Sequence, residues 1–278
     1  MRKFYSSLKY ICIAALVLSM IALVAVVAYV LINGVDKLSV DLLFGDYKNS
    51  PSILPAFIGT LQLVGISALI AVPVGIASAI FLVEYTNNKG RFVKIVQVAT
   101  ETLAGIPSIV YGLFGYLIFV VAFGWGYSII GGGITLAIMI LPTIVRSTQE
   151  SLLSVQGGLR EGAYALGTSK VRTIFKIVLP SAAGGIVTAI ILAIGRVVSE
   201  SAVLILTIGM VVNKMPETLM SPGTSLALDI YYFASHGYPD EAAATAVVLL
   251  VFVMALNLFA GWVGNLIRKS TYGDSAKA

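Results

Sequence analysis

Six long apolar runs set the limits on what this chain can fold into: Ile11–Ile32, Phe57–Val83, Leu103–Phe123, Ile129–Val145, Ala182–Ile208 and Ala243–Ile267. An α-helix rises about 1.5 Å per residue and the hydrocarbon layer of a bilayer is about 30 Å thick, so about twenty consecutive apolar residues suffice to cross it. Lipid offers the backbone no hydrogen-bond partners, so such runs are satisfied as helices. The reading is therefore an all-α, polytopic membrane protein with six transmembrane helices. Composition agrees: 58% of the residues are hydrophobic and 11% charged, with a mean hydropathy of +0.97, against about 45–50% and about 25% in soluble domains. The first run is read as a retained helix, because further apolar runs follow it where a cleaved signal peptide would give way to a soluble body. Ile129–Val145 is short and borrows from its glycines or from residues up to Thr148, and Phe57–Val83 carries Pro73 and Gly75 as a kinked helix would.

The net charge of +5 has a topological origin. With the N-terminus in the cytoplasm, Arg2, Lys3, Lys9, Lys89, Arg91, Lys94, Arg146, Arg160, Lys170, Arg172, Lys176, Arg268, Lys269 and Lys277 all fall on one side. Only Lys37, Lys48 and Lys214 fall on the other. This positive-inside bias puts both termini in the cytoplasm of a cell whose plasma membrane holds the chain. It leaves no basic surface for nucleic acid. Cys12 is the sole cysteine, so neither an intrachain disulfide nor a cysteine metal site is expected, and no metal ligand set stands out. Also missing is the GxxxxGK[ST] pattern that cradles nucleotide phosphates, so the chain has no P-loop ATPase site of its own.

The organisation reads as residues 1–56, a first helix and extracytoplasmic loop; 57–267, a membrane core; and 268–278, a cytoplasmic tail. Within the core, 209–242 is an extracytoplasmic loop in which MVVNKMPETLM and TSLALDIYYFASHG carry helical periodicity and face outward or re-enter the membrane. His236 is the only histidine and reads as a loop or interface residue. Glu84 and Glu101 lie near cytoplasmic span ends and are expected to pair with Lys89, Arg91 or Lys94.

The cytoplasmic segment 146–180 is polar and basic between two apolar runs. Gly158 to Leu166 reads as a short helix, Gly167 stops it, Thr168 or Ser169 caps a second helix, and Pro180 marks the boundary with the next span. Ala163, Tyr164 and Leu166 make a small apolar patch. Chemistry alone leaves two readings open, a solvated hairpin and a docking element that passes force to both flanking spans.

Inside the fifth run, Arg196 and Glu200 stand four residues apart on one predicted helix face. A charged residue at the centre of a bilayer costs at least about 2.5 kcal/mol, so the two must pair or line a wet path. As a pair they orient helices; on a path, Arg196 offers a planar fork to an oxyanion while Glu200 orients it. Arg146, at the end of the fourth run, is either a positive-inside anchor or a second path residue, with Gln149 and Glu150 as neighbours.

The segment EGAYALGTSKVRTIFKIVLP resembles the EAA loop of importer-type ABC transporter permeases: Glu161, Ala163, Gly167, Ile177, Leu179 and Pro180 occupy pattern positions, and Gly162 replaces an Ala. ETLAGIPSIVYGLFG, LPTIVRSTQESL, GRVVSESAVL and SPGTSLALDIYYFA are together similar to the permeases of the phosphate-specific ABC importer, closer to the PstA type than to the PstC type. Family members commonly read Arg-Ala-Ile-Gly-Glu-Thr-Ala where this chain has Arg-Val-Val-Ser-Glu-Ser-Ala. The resemblance implies the type I importer permease fold and a role in ATP-driven phosphate import. It implies as partners a PstC-type permease, two PstB-type ATPase subunits that bind ATP and magnesium, and a PstS-type extracytoplasmic phosphate-binding protein. It assigns ATPase coupling to the six pattern residues and the substrate path to Arg196, Glu200 and Arg146. Permeases for molybdate, sulfate or phosphonate, a secondary transporter or channel, and a membrane structural or signalling subunit are the alternatives.

Overall fold

The computed structural model describes residues 2–45, 51–86 and 90–272, with side chains described at 9–45, 51–86, 90–259, 261–264 and 266. Lys48, Lys89, Lys277 and the side chains of Arg2, Lys3, Arg268 and Lys269 lie outside them. The helices are α1 (Arg2–Gly34), α2 (Val40–Phe44), α3 (Leu54–Ile80), α4 (Arg91–Ala104), α5 (Ser108–Gly115), α6 (Ile129–Leu153), α7 (Gly157–Ala165), α8 (Lys170–Thr173), α9 (Leu179–Val198), α10 (Ala202–Thr207), α11 (Leu226–Ser235) and α12 (Pro239–Tyr272). Wider π-helical turns extend α3 through Phe81–Tyr85 and α5 through Tyr116–Ala122, and join α8 to α9 through Ile174–Val178. Five helical stretches are long and apolar enough to cross a membrane: Lys9–Lys37, Leu54–Tyr85, Ile129–Leu153, Lys170–Val198 and Pro239–Gly264. A sixth is a pair, Arg91–Ala104 with Ser108–Ala122, bent by 97°.

Several sequence boundaries move. The third run does not start a helix at Leu103: α4 ends at Ala104, and the chain turns at Gly105–Pro107 before α5. Proline removes the helical state from the residue before it, here Ile106, so the helix cannot pass. The fourth run continues two turns beyond Val145, to Leu153, so Arg146 lies inside α6. The fifth run is two helices, α9 and α10, separated by Ser199–Ser201. Pro180 is not a break. It occupies the first turn of α9, where a missing N–H costs little, and the preceding π turn carries the helix through from Lys170.

The core is the contact between α3 and α6, the most extensive in the molecule. In a membrane, close packing replaces the hydrophobic drive between helices, and small residues set the distance. Gly75 of α3 lies against Ile144, and Gly133 of α6 lies against Ile66. Gly131, Gly132 and Gly133 form the first buried turn of α6, with Gly132 against Ile208. Leu63, Leu136, Ile140, Ile144, Val203 and Leu204 fill the space between. By contrast α1 is exposed along its apolar length and packs chiefly against α12, where Gly34 touches Ala243 and Val247.

The loop after α10 closes the N-terminal end of α6. The amides of Ser128, Ile129 and Ile130 donate to the carbonyls of Thr207, Ser221 and Leu219 at 3.1, 3.1 and 2.9 Å, and Ser128 Oγ takes Gly131 N–H. These are the donors that a helix start leaves unpaired. Met210–Met220 is not helical, contrary to its periodicity: Leu219 O serves this cap, and Val211 N–H donates to Gly223 O at 3.2 Å instead of within a helix. The second expected helix exists as α11, but it is not a surface element: Leu226, Ala227, Leu228, Asp229 and Phe233 are buried against α3 and α12.

Candidate functional site

The fifth span breaks where its charged residues lie. Arg196 is in the last turn of α9, half-buried, at the end of a helix dipole that favours a cation. Glu200 sits in the break. Its Oε1 accepts Val203 N–H at 3.3 Å, at the start of α10. The predicted shared helix face is thereby lost: among the described residues, Arg196 and Glu200 make no ion pair. On α5, the Tyr111 hydroxyl donates to Leu103 O at 2.8 Å. α10 packs on α5 so closely that a Cβ on Gly112 would lie 3.0 Å from Val203 Cα. A guanidinium at a helix break inside an apolar span is costly unless a polar or anionic group meets it, and no carboxylate among the described residues does so.

Arg146 is elsewhere and differently served. On exposed α6 surface, its Nε donates to Glu150 Oε1 at 3.1 Å and its Nη1 lies 3.6 Å from Glu101 Oε1. The three line a cleft of about 210 Å³ with Gln97, Thr100, Gln149 and Leu153. Two carboxylates on one guanidinium leave this cleft acidic. Glu101 thus pairs across to α6, and among the described residues it makes no ion pair with Arg91 or Lys94.

Within the 146–180 segment, residues 146–153 continue α6, and the expected helix–turn–helix is α7 with α8 over Gly157–Thr173. Gly167 has φ +77° and ends α7, with its N–H donating to Tyr164 O at 2.9 Å and Thr168 N–H to Ala163 O at 3.2 Å. Left-handed backbone at that place suits glycine, and these two bonds close the helix end. Thr168 Oγ also reaches Ala163 O, and shares a hydrogen bond with Thr173 Oγ at 2.8 Å. Ser169 is the cap residue of α8 but makes no side-chain cap. Ala163 is buried under the turn while Glu161, Tyr164 and Leu166 face outward, Leu166 at 86% exposure. Ile177, Leu179 and Pro180 are half-buried where the hairpin enters α9. The apolar patch expected at Ala163, Tyr164 and Leu166 is therefore Tyr164 and Leu166, joined by exposed Leu159.

Sequence reading missed three features. Arg160, beside Glu161, pairs with Glu84 at the end of α3 at 3.0 Å; among the described residues Glu84 makes no ion pair with Arg91 or Lys94, and Lys89 lies outside them. The π turn also presents Tyr85, whose ring lies 4.8 Å from Lys170 Nζ. Asp229, in the buried face of α11, accepts the Thr224 hydroxyl on Oδ1 and has no partner on Oδ2. Burial pushes its carboxyl up to about 8. His236 ends α11 with its ring stacked on Tyr232 at 4.1 Å, exposed, as a loop residue.

Comparison with known proteins follows the same lines. The chain is 34% identical over 268 residues to the probable ABC transporter permease protein YqgI of Bacillus subtilis, covering 89% of this chain and 90% of the relative. It is 35% identical over 213 residues to phosphate transport system permease protein PstA 1 of Mycobacterium tuberculosis, covering 75% and 69%. With PstA of Haemophilus influenzae it shares 33% over 238 residues, 82% of each chain. Among solved structures, a bacterial alginate ABC transporter superposes with a TM-score of 0.72 at 17% identity, over 94% of this chain and 95% of that one. The MetNI methionine ABC transporter superposes with a TM-score of 0.65 at 17% identity, over 77% and 95%. At such identities the likeness is one of fold. Residues 71–271 match the family described as binding-protein-dependent transport system inner membrane component, and the chain belongs to that family.

Proposed function

We propose that this chain is a permease subunit of an ATP-driven importer of inorganic phosphate. The observation that carries the reading is Arg196: a guanidinium with no carboxylate partner among the described residues, at the break of the fifth span, in a chain whose relatives include phosphate permeases of the PstA type. Discontinuous helices expose backbone polar groups within the membrane, which is tolerated where they line a polar cavity, and transporters bind substrate at such breaks. Arg196 gives a phosphate oxyanion two parallel donors, and Glu200, engaged with α10, holds the break in shape. Arg146 joins the path only when Glu101 or Glu150 releases it, and serves then as an exit residue.

The chain works with a homologous PstC-type permease, two PstB-type ATPase subunits and an extracytoplasmic PstS-type binding protein. Both termini face the cytoplasm, following the basic residues. ATP and magnesium bind on the ATPase subunits. Their closure pushes on the outward-facing Glu161, Tyr164 and Leu166, with Ala163 and Gly167 fixing the turn and Ile177, Leu179 and Pro180 rooting it in α9. No bond in the substrate is made or broken. Alternating access alone moves it.

The test is ATP-dependent uptake of radiolabelled phosphate into vesicles holding the complete complex, with sulfate or molybdate as competitors. Uptake that resists both and falls at least about tenfold in Arg196→Gln, a loss of about 1.4 kcal/mol or more, is expected. Uptake of another oxyanion by an ATP-hydrolysing complex overturns the phosphate assignment. Unchanged uptake in Arg196→Gln removes Arg196 from the path.

A further inference from the structure

The guanidinium of Arg160 makes four hydrogen bonds to three separate places. Its Nε and Nη2 both donate to Glu84 Oε1, at 3.1 and 3.0 Å. Nη1 donates to Val155 O at 2.9 Å and Nη2 to Leu152 O at 2.8 Å. Leu152 belongs to the last turn of α6, whose carbonyls have no partner within the helix. One side chain on α7 therefore holds the end of the second span and the end of the fourth. The pair is sheltered, with side-chain exposures of 19% for Arg160 and 6% for Glu84. Beneath it Val83, Leu152, Val155 and Val178 pack in one cluster.

A second contact lies one residue on. Tyr85 receives Lys170 of α8 over its ring, and stacks on Phe81 on the other flank. Glu84 and Tyr85 are adjacent, and both belong to the π turn Phe81–Tyr85. Such turns shift side chains out of the α-helical register and recur at functional sites. Here the turn presents two consecutive side chains to the two helices of one hairpin.

We propose that Glu84 and Arg160, backed by Tyr85 and Lys170, form a latch that makes the α7–α8 hairpin and the second span move as one body. The inference rests on the coupling role proposed above and adds the route by which that push enters the core. An exposed ion pair separates readily and transmits little. A sheltered pair whose separation would strand an unpaired charge stays closed under load. Force on Glu161 and Leu166 then reaches α3 through Arg160, and α3 carries it to α6 across the main contact of the core. Lysine cannot replace Arg160, because an ammonium lacks the planar fork that reaches a carboxylate and two carbonyls together.

The experiment uses the assembled complex of both permeases, ATPase subunits and binding protein. In a Cys12→Ser background, spin labels are placed through Ala77→Cys on the exposed face of α3 and Gly157→Cys at the exposed start of α7. The latch gives one narrow distance, unchanged by ATP, and Glu84→Gln or Arg160→Lys adds a second distance that appears with ATP. A distance that shifts with ATP in the unmutated pair, or stays single in Glu84→Gln, overturns the proposal. In proteoliposomes, Glu84→Gln and Arg160→Lys keep ATP hydrolysis while phosphate moved per ATP falls at least about fivefold, and the double variant is no worse than either. Loss of hydrolysis and uptake in step with lost ATPase subunits would make the pair a docking support and refute the latch. A wild-type complex that carries no phosphate refutes the substrate reading, and the spin-label distances still decide the latch.

Discussion

Gly167→Ala isolates the conformational demand of the α7–α8 turn. A Cβ built at Gly167 meets no atom within 4 Å, so the substitution creates no clash within the chain. What it meets is φ +77°, a left-handed conformation that costs a residue with a Cβ about 1–2 kcal/mol. The native turn is then less populated by about 5- to 30-fold relative to alternatives, and apparent affinity for the ATPase subunits falls by at most the same factor. Asparagine tolerates this conformation better, so Gly167→Asn is expected to recover most of the loss. Gly162 is the internal control: its site is equally open, but it lies within α7, and Gly162→Ala strengthens the helix by up to about 1 kcal/mol. The assay is titration of detergent-solubilised permease pairs with ATPase subunits, read as stimulated hydrolysis. If Gly167→Ala matches wild type, or Gly167→Asn is as poor as Gly167→Val, the turn is not what fixes the docking surface.

Asp229 binds a proton in the folded protein up to about pH 8, against an ordinary carboxyl value of 3.8, so the native state holds more protons than the unfolded state across that window. Stability is then complete below about pH 3.8 and declines as pH rises toward 8; Asp229→Asn is expected to flatten the decline in melting temperature over this range, and a parallel curve would remove Asp229 as its source. Gly112→Leu forces a side chain into the α5–α10 contact, where a Cβ already lies 3.0 Å from Val203 Cα. A loss of about 1–3 kcal/mol is expected in thermal melting of the purified subunit, whereas Gly195→Ala, with open space, changes little. A melting point for Gly112→Leu equal to wild type would mean that α5 and α10 do not approach as described.

Fold class was legible because membrane helices must be apolar throughout, which hydropathy reads directly. Where those helices break was not. VVSESAVL stays apolar enough across Ser199–Ser201 to read as one span; the one local signal was an acid three residues before Val203, whose N–H it accepts at 3.3 Å, and the hydropathy of the run outweighed it. The turn before α5 did carry a local signal, Pro107 after Ile106, but a run of hydropathy outweighed it. The hairpin was read well, since Gly167 writes a left-handed turn into the sequence. Arg160 was not, because Glu84 lies 76 residues away and nothing local marks such a pair. Asp229 carried no signal: one acid in LALDIYYF looks the same whether water or protein covers it. At Arg196, the charge was legible in an apolar run, but its lack of an ion-pair partner was not.

The bend before α5 has a consequence for the lipid around the protein. Beyond the 97° turn, the second half of the bent pair is eight residues of α-helix and seven of π-helix, a rise of at most about 22 Å at about 1.5 Å per residue. An average hydrocarbon layer is about 30 Å thick. Wherever lipid covers that flank, the short segment meets it with a hydrophobic mismatch that costs a fraction of a kcal/mol per Å. The rings of Phe119, Phe123 and Trp125 gather at its far end, Trp125 stacked on Phe119 and Phe123 edge-on to it, where aromatic residues hold a fixed depth at the interface. At its near end, α4 turns aside with Phe92, Ile95 and Val98 exposed. The subunit is expected to melt at a higher temperature in bilayers of short acyl chains than in thick, sterol-stiffened ones; equal melting in both would mean that α4 or a neighbouring helix makes up the missing length.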